Sequence, residues 1–258
     1  MRILAMPLPD LRLNVILTEL AKNGRVFVKD LAGQLKVSRE TIRRDLKQLE
    51  LDGRLRCAYG GAVQLSAGGD QPVVLRMRVN AREKARIAVQ AAKLVKDDTT
   101  IFIDAGTTTL AFARHLLQRR RVHIFTNSLD IAQLFATDSD GDVTLIGGRL
   151  RADYRALLGP LTIEAIDNHV FDAVFISVAT VDYTHGFMDF GQEEASLRRA
   201  LAKHTKDVVM LADSAKFGRT ASIRTLDLRQ VQRLVTDAKL PADFAARLKE
   251  AGVEILYA

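Results

Sequence analysis

Leu13, Ile16, Leu17 and Leu20 recur at helical spacing and predict a helix over Leu11–Lys22, which Asn23-Gly24 then stops. A second, shorter helix is predicted over Lys29–Leu35, burying Leu31, Ala32 and Leu35, with a turn at Lys36-Val37. Ser38 is a good N-cap for a third helix, Arg39 to about Leu51, closed by Asp52-Gly53. Arg54–Gln64 reads as a short hairpin punctuated by Gly60-Gly61, and residues 66–72 are small, polar and proline-containing, as a linker would be. A long helix is then expected over Val79–Lys96, with Ile87, Ala88, Ala91, Leu94 and Val95 on its apolar face. From residue 99 short β-rich runs alternate with helical ones. The expected strands are Thr100–Asp104, Val122–Thr126, Val143–Ile146, Ala173–Val178, Val208–Ala212, Leu234–Thr236 and Val253–Leu256. Helices are expected near Thr108–Leu117, Leu129–Phe135, Leu161–Asn168, Glu193–His204 and Ala242–Ala251. Such alternation predicts a mainly parallel sheet with helices on both faces.

The pattern divides the chain into an N-terminal helical module over 1–65, a linker over 66–78 and an α/β domain over 79–258. A length of 258 residues with 48% apolar content supports that division. A single cysteine, Cys57, excludes an internal disulfide framework and fits a reducing cytoplasm. No secretory signal and no apolar stretch of bilayer-spanning length is expected, so no membrane partner is. The net charge is +7, and residues 1–65 carry 12 Lys and Arg against 7 Asp and Glu. Positive charge gathered in a small module suits a polyanion, although a solvated basic surface has the same composition.

Placed on a helical wheel, Ile42, Leu46 and Leu49 face the core, and Glu40, Arg43, Arg44 and Lys47 face away. A helix fits the major groove of B-DNA, where arginine can donate twice to guanine or pair with phosphate. Ser38 and Thr41, with Arg39 between them, stand in the first turn, where hydroxyls and free N–H groups bind phosphate. Arg56 and Tyr59 in the hairpin are placed to touch adjacent backbone or minor groove, or, for Tyr59, to pack on the third helix. An isolated Arg pair would read as a solvated face. A short helix, tight turn, helix and Gly-Gly hairpin together read as a DNA-binding module.

In the second domain, Phe102-Ile103-Asp104-Ala105-Gly106-Thr107-Thr108-Thr109 ends a strand and opens a helix. Gly106 admits close approach to the backbone, and the three threonines add hydroxyls to free helix-start N–H groups, a setting for phosphate or merely for capping. Asp104 either accepts a sugar hydroxyl or orders the loop. Thr126 and Asn127, Gly148 and Arg149, and Lys216 stand at further strand ends, where ligands of open α/β sheets bind. No metal-ligating set, catalytic residue or cofactor is expected.

The run Asp30-Leu31-Ala32, then Val37-Ser38-Arg39-Glu40-Thr41-Ile42-Arg43-Arg44-Asp45-Leu46, then Leu49-Glu50, Gly53 and Gly60-Gly61-Ala62 closely resembles the DeoR family of bacterial repressors. Arg76, Glu83-Lys84, Gly159, Gly186, Glu194 and Thr236-Asp237, with the strand-end runs above, match the family's effector domain, so the resemblance spans about residues 11–258. One departure stands in the hairpin, Cys57-Ala58-Tyr59 where the family usually has Arg-Thr-His. The resemblance implies a winged helix-turn-helix whose third helix reads operator DNA, and an α/β domain similar to phosphosugar isomerases. It implies a phosphorylated sugar or related metabolite as inducer, held by residues 104–109 and Lys216, and a homo-oligomer, dimer or tetramer, acting beside carbohydrate-utilisation genes. Two alternatives remain. An isomerase would need a base carboxylate, but the strand ending Val178-Ala179-Thr180-Val181-Asp182 lacks the acidic cluster of the sugar isomerases, leaving Glu193 and Glu194. A DNA-binding protein without an effector would use its second domain only to oligomerise.

Overall fold

The computed structural model describes residues 9–51, 54–63, 73–119, 121–138 and 142–258. They form two compact units, divided between Val79 and Asn80. The first contains α1 (Pro9–Asn23), β1 (Arg25–Phe27), α2 (Val28–Leu35), α3 (Arg39–Leu51), β2 (Arg56–Ala58), β3 (Gly61–Val63) and α4 (Val73–Arg78). Ile16 and Leu20 from α1, Leu31 and Leu35 from α2, and Ile42, Leu46 and Leu49 from α3 meet in one core. These are the periodic apolar positions of the sequence, and their burial holds the three helices together. Ser38 caps α3 as expected, its Oγ accepting the Thr41 N–H at 3.0 Å.

The expected hairpin is β2 and β3, and β1, absent from the sequence reading, completes a three-stranded antiparallel sheet in the order β1-β3-β2. Its two glycines answer different constraints. Gly60 turns the chain at φ +77°, whereas a Cβ on Gly61 would stand 1.9 Å from the Val26 carbonyl oxygen across the β1–β3 pairing. The Asp52-Gly53 helix stop and the linker residues 66–72 lie outside the described residues. Val73–Arg78, assigned to the linker from sequence, is helical as α4.

The second unit contains α5 (Ala81–Ala92), β4 (Thr99–Ile103), α6 (Thr107–Ala113), β5 (Val122–Thr126), α7 (Leu129–Asp138), β6 (Val143–Leu145), β7 (Arg149–Arg151), β8 (Ala156–Leu158) and α8 (Pro160–Asp167). It continues through β9 (Ala173–Ile176), β10 (Thr180–Asp182), β11 (Gly186–Asp189), α9 (Gln192–Leu201), β12 (Val208–Leu211), β13 (Ile223–Leu226), β14 (Arg233–Thr236), α10 (Ala242–Glu250) and β15 (Glu254–Tyr257). The helix expected over Val79–Lys96 is the shorter α5, with α4 preceding it. Asn80 separates them with left-handed backbone at φ 53°, and α5 ends before Leu94 and Val95.

Seven parallel strands form the main sheet in the order β15-β14-β12-β9-β4-β5-β6. All seven were expected from the apolar runs. The runs are continuous because both faces are covered: Phe102, Val174, Ile176 and Met210 enter one core, and their neighbours Ile101, Ile103, Phe175, Val209 and Leu211 enter the other. Two smaller assemblies, the antiparallel β7–β8 hairpin and the sheet β10-β11-β13, fill the connections. Chain order reverses between β4 and β9: the chain runs from β4 through β5 to β6 on one side, then returns to β9 and continues to β15 on the other. The crevice beyond the carboxyl ends of β4 and β9 is therefore the topological switch point, where open α/β sheets place ligands.

Candidate DNA-reading helix and sensor site

On α3, the side chains of Arg43 and Arg44 are 65% and 82% exposed, and Arg39, Lys47 and Ser38 are exposed with them. Glu40 lies 3.4 Å from Arg43 and 4.0 Å from Arg44, close enough to orient both guanidiniums and too solvated to hold them. Thr41 is half-buried, its hydroxyl 2.9 Å from Ser38 Oγ. Tyr59 is fully exposed at the β2–β3 turn, so it does not pack on α3. Arg56 stands in β2, and its side chain lies outside the described residues. The cationic stripe is oriented by a pair that sequence alone gave no sign of. Asp45, next to Arg44 but turned inward, takes a two-pronged hydrogen bond from Arg12 of α1, Arg12 Nη2 donating to Oδ1 at 2.9 Å. Both residues are buried, and burial of two charges is tolerable only because each neutralises the other.

At the switch point, Gly106 opens α6, and a Cβ there would lie 2.9 Å from Thr109 Oγ1 and 3.5 Å from Ser177 Oγ in the loop after β9. Close approach, and not an unusual φ, is what requires glycine. Lys216, on the turn after β12, reaches the same crevice. Its Nζ donates to the Val178 carbonyl at 2.6 Å and lies 3.5 Å from Ser177 Oγ. Gly106, Ser177 and Lys216 thus converge from three different strand ends. Thr107 is half-buried beside them, Thr109 Oγ1 donates to the Gly106 carbonyl at 3.0 Å, and Thr108 Oγ1 is buried with no hydrogen-bond partner among the described residues.

The other sequence candidates divide by what their polar atoms already do. Asp104 is buried and accepts from Arg198 Nε of α9 at 2.7 Å, so it orders the loop and is not open to a sugar hydroxyl. The opposite end of Arg198 reaches Asp189 of β11 at 2.6 Å, and Asp189 also accepts from Thr225 Oγ1 and Ala179 N–H. Burial pushes the Asp104 carboxyl above the ordinary carboxylate range, with Arg198 pulling it back. Burial also opposes the charge on Arg198, but Asp104 and Asp189 outweigh it and hold the guanidinium above its usual value. Thr126 Oγ1 donates to the Ile103 carbonyl, and Asn127 accepts from Ala105 N–H at 2.9 Å while donating to the Leu157 carbonyl. Both therefore tie the β4 loop to its neighbours.

Gly148, at φ +147°, packs where a Cβ would strike Thr162 Oγ1 at 2.0 Å. Arg149 projects from β7 onto Glu193 at 2.7 Å. Glu194, buried one helical turn before Arg198, lies 3.3 Å from Arg151 Nη1, and burial pushes its carboxyl upward. Arg12, Arg151, Ser177, Asp189 and Arg198 were not among the residues singled out by sequence. A separate cavity of about 460 Å³, lined by Tyr183, His185, Arg224, Asp227 and Arg247, adjoins β13 and α10 and includes none of the sequence candidates.

Two family descriptions match this geometry. Residues 12–67 match the DeoR-like helix-turn-helix domain, and residues 79–238 match the DeoR C terminal sensor domain. The chain belongs to the DeoR family. Its first unit is accordingly a DNA-binding domain with α3 as the second helix of the helix-turn-helix, and its second unit is a sensor domain, so the protein is a DNA-binding transcription regulator.

DeoR-family relatives align with it almost end to end. The HTH-type transcriptional repressor CsqR of Escherichia coli K12 is 30% identical over 93% of this chain and 92% of its own. The glycerol-3-phosphate regulon repressor of Escherichia coli K12 is 29% identical over 95% of this chain and 97% of its own. The repressor GlcR of Bacillus subtilis 168 is 30% identical over 95% of each chain. Among solved structures, ribose 5-phosphate isomerase A from Methanocaldococcus jannaschii is a distant likeness, with a TM-score of 0.40 at 21% identity over 54% of this chain and 55% of that one. No helix of the described residues is long and apolar enough to cross a membrane.

Proposed function

We propose that this protein represses carbohydrate-utilisation genes in the cytoplasm and is released from double-stranded operator DNA by a phosphorylated sugar or related metabolite. The observation that carries the effector half is the convergence of Gly106, Ser177 and Lys216 at the switch point. The helix-start N–H groups after Gly106 and a lysine ammonium suit a small phosphorylated anion there. The DNA half rests on the exposed stripe of Arg39, Arg43, Arg44 and Lys47, with Ser38 and Thr41 at the phosphate end and Tyr59 and Arg56 on the β2–β3 wing. A homo-oligomer, dimer or tetramer, sets two α3 helices in successive major grooves. Thr107, Thr108, Gly148, Arg149 and Glu194 border the effector, while Asp104, Thr126, Asn127 and Thr109 hold the loop in shape.

Catalysis is not part of this reading. An isomerase needs a carboxylate free to take a carbon-bound proton, whereas Asp104 and Asp189 are both taken by Arg198, Glu193 by Arg149, and Glu194, which accepts no hydrogen bond among the described residues, is faced by Arg151 at 3.3 Å. Replacing Lys216 by alanine is expected to leave operator affinity within about threefold of wild type and to abolish release by sugar phosphates. The check is a fluorescence anisotropy titration of both proteins on operator duplex, with and without the compound. Full release of the Lys216→Ala protein would refute the site.

A further inference from the structure

The turn that carries Lys216 is held from a direction the effector reading does not use. Asp213, buried at 2% exposure, heads this turn, and its carbonyl accepts the Lys216 N–H at 3.1 Å. Asp213 Oδ1 accepts from Asn80 Nδ2 at 2.9 Å. The next residue, Ser214, donates its N–H to Asp237 Oδ1 at 2.6 Å and its hydroxyl to Oδ2 at 3.2 Å, and Asp237 Oδ2 faces Arg86 Nη2 at 3.6 Å. Asn80 is the N-cap of α5, and Arg86 lies in the second turn of that helix. Asn80 is the first residue of the sensor unit, two residues after the end of α4, and has left-handed backbone that asparagine tolerates better than most residues.

We propose that Asn80, supported by Arg86, is a positioning residue that couples the Lys216 turn to the DNA-binding unit: it holds the turn in the DNA-binding state and yields when effector draws Lys216 away from the Val178 carbonyl. This rests on the reading of Lys216 as an effector contact. A ligand that takes the Lys216 ammonium moves a short turn whose first residue is fixed to Asn80 and whose second is fixed, through Asp237, to Arg86. Asn80 lies where the chain enters from the DNA-binding unit and Arg86 less than two turns further along the same helix, so displacement of the turn is delivered to the start of α5. Coupling of this kind is a free energy shared by two sites, and it can be removed without loss of either affinity.

The test is Asn80→Gly, which keeps the left-handed backbone and deletes only the amide, with Arg86→Gln as an independent variant. Operator affinity is measured on duplex from upstream of the gene, with and without the three- to six-carbon sugar phosphate that weakens wild-type binding most. The affinity of each protein for that compound is measured separately. Wild type is expected to show a coupling factor of roughly 5–150-fold. Asn80→Gly should keep both separate affinities within about threefold while its coupling factor falls toward one, and Arg86→Gln should fall part of the way. An undiminished coupling factor in Asn80→Gly overturns the proposal with the effector site intact. Loss of affinity for the compound also overturns it, because Asn80 would then serve binding and not coupling. If no sugar phosphate couples to DNA in wild type, the reading of Lys216 falls and the proposal with it.

Discussion

Replacing Arg43 and Arg44 together by alanine is expected to weaken operator binding by about two to four orders of magnitude, with the melting temperature unchanged within about 2 °C. The loss of binding follows from the chemistry of major-groove contacts, in which each well-placed arginine contributes roughly 1–3 kcal/mol. The unchanged melting temperature follows from exposure. Neither guanidinium packs against the core, and their contacts with Glu40 are solvated pairs of little energetic weight. Alanine is also a better helix former than arginine, so α3 is not weakened from within. Anisotropy at fixed salt measures the binding, and circular dichroism measures the melt. The dependence of affinity on salt should become shallower as well, because phosphate contacts are lost with the charges. A double variant that still bound operator at near wild-type affinity would remove α3 from the DNA interface.

Arg198→Met should be the most damaging single change in the sensor unit. It leaves Asp104 and Asp189 buried without their shared cation, and breaking a buried pair in this way costs about 3–5 kcal/mol. The sign of its pH dependence follows from linkage. Without Arg198 the carboxyl of Asp104 lies still higher above its unfolded value, so the folded variant binds more protons than the unfolded chain. Its stability then falls as pH rises from the unfolded carboxyl range through the folded one. The deficit is therefore expected to be largest near neutral pH and to shrink toward about pH 5. Lysine at 198 keeps the charge but lacks the fork that reaches two carboxylates at once, and should lie between the two. Thermal melts across pH decide the matter, and an Arg198→Met protein that melted like wild type at pH 7 would show that the buried network is not a support of the fold.

The helices other than α4 and the seven strands of the main sheet were legible because most of them bury a periodic or continuous apolar run, and burial is what sequence patterning records. β1, β7, β8, β10, β11 and β13 were not: they lie outside the alternation of main-sheet strands and helices, and β1, β7, β10 and β13 mix polar with apolar residues over three or four positions. The helix α4 was missed because its six residues directly follow a small, polar, proline-containing stretch and were read as part of the linker. Long-range charge pairs were hidden for a different reason. Arg198 stands beside Arg199 near the end of an amphipathic helix and reads as solvent-facing, yet its partner Asp104 is 94 residues away. Asp45 likewise lies in a charged run and finds Arg12 only through folding. The residues proposed to touch DNA were legible because exposed arginines on one helical face need no distant partner. At the sensor site the strand-end position of Lys216 could be read, but Ser177, which stands opposite it across the crevice, could not.

The most direct test of the central claim is an anisotropy titration of the wild-type protein on duplex DNA from upstream of its own gene, at fixed salt, with and without a panel of sugar phosphates. Tight binding that depends on sequence and is relieved by one compound is the predicted result. Weak, salt-sensitive binding that is equal for all DNA, or tight binding that no phosphorylated sugar alters, would contradict the account.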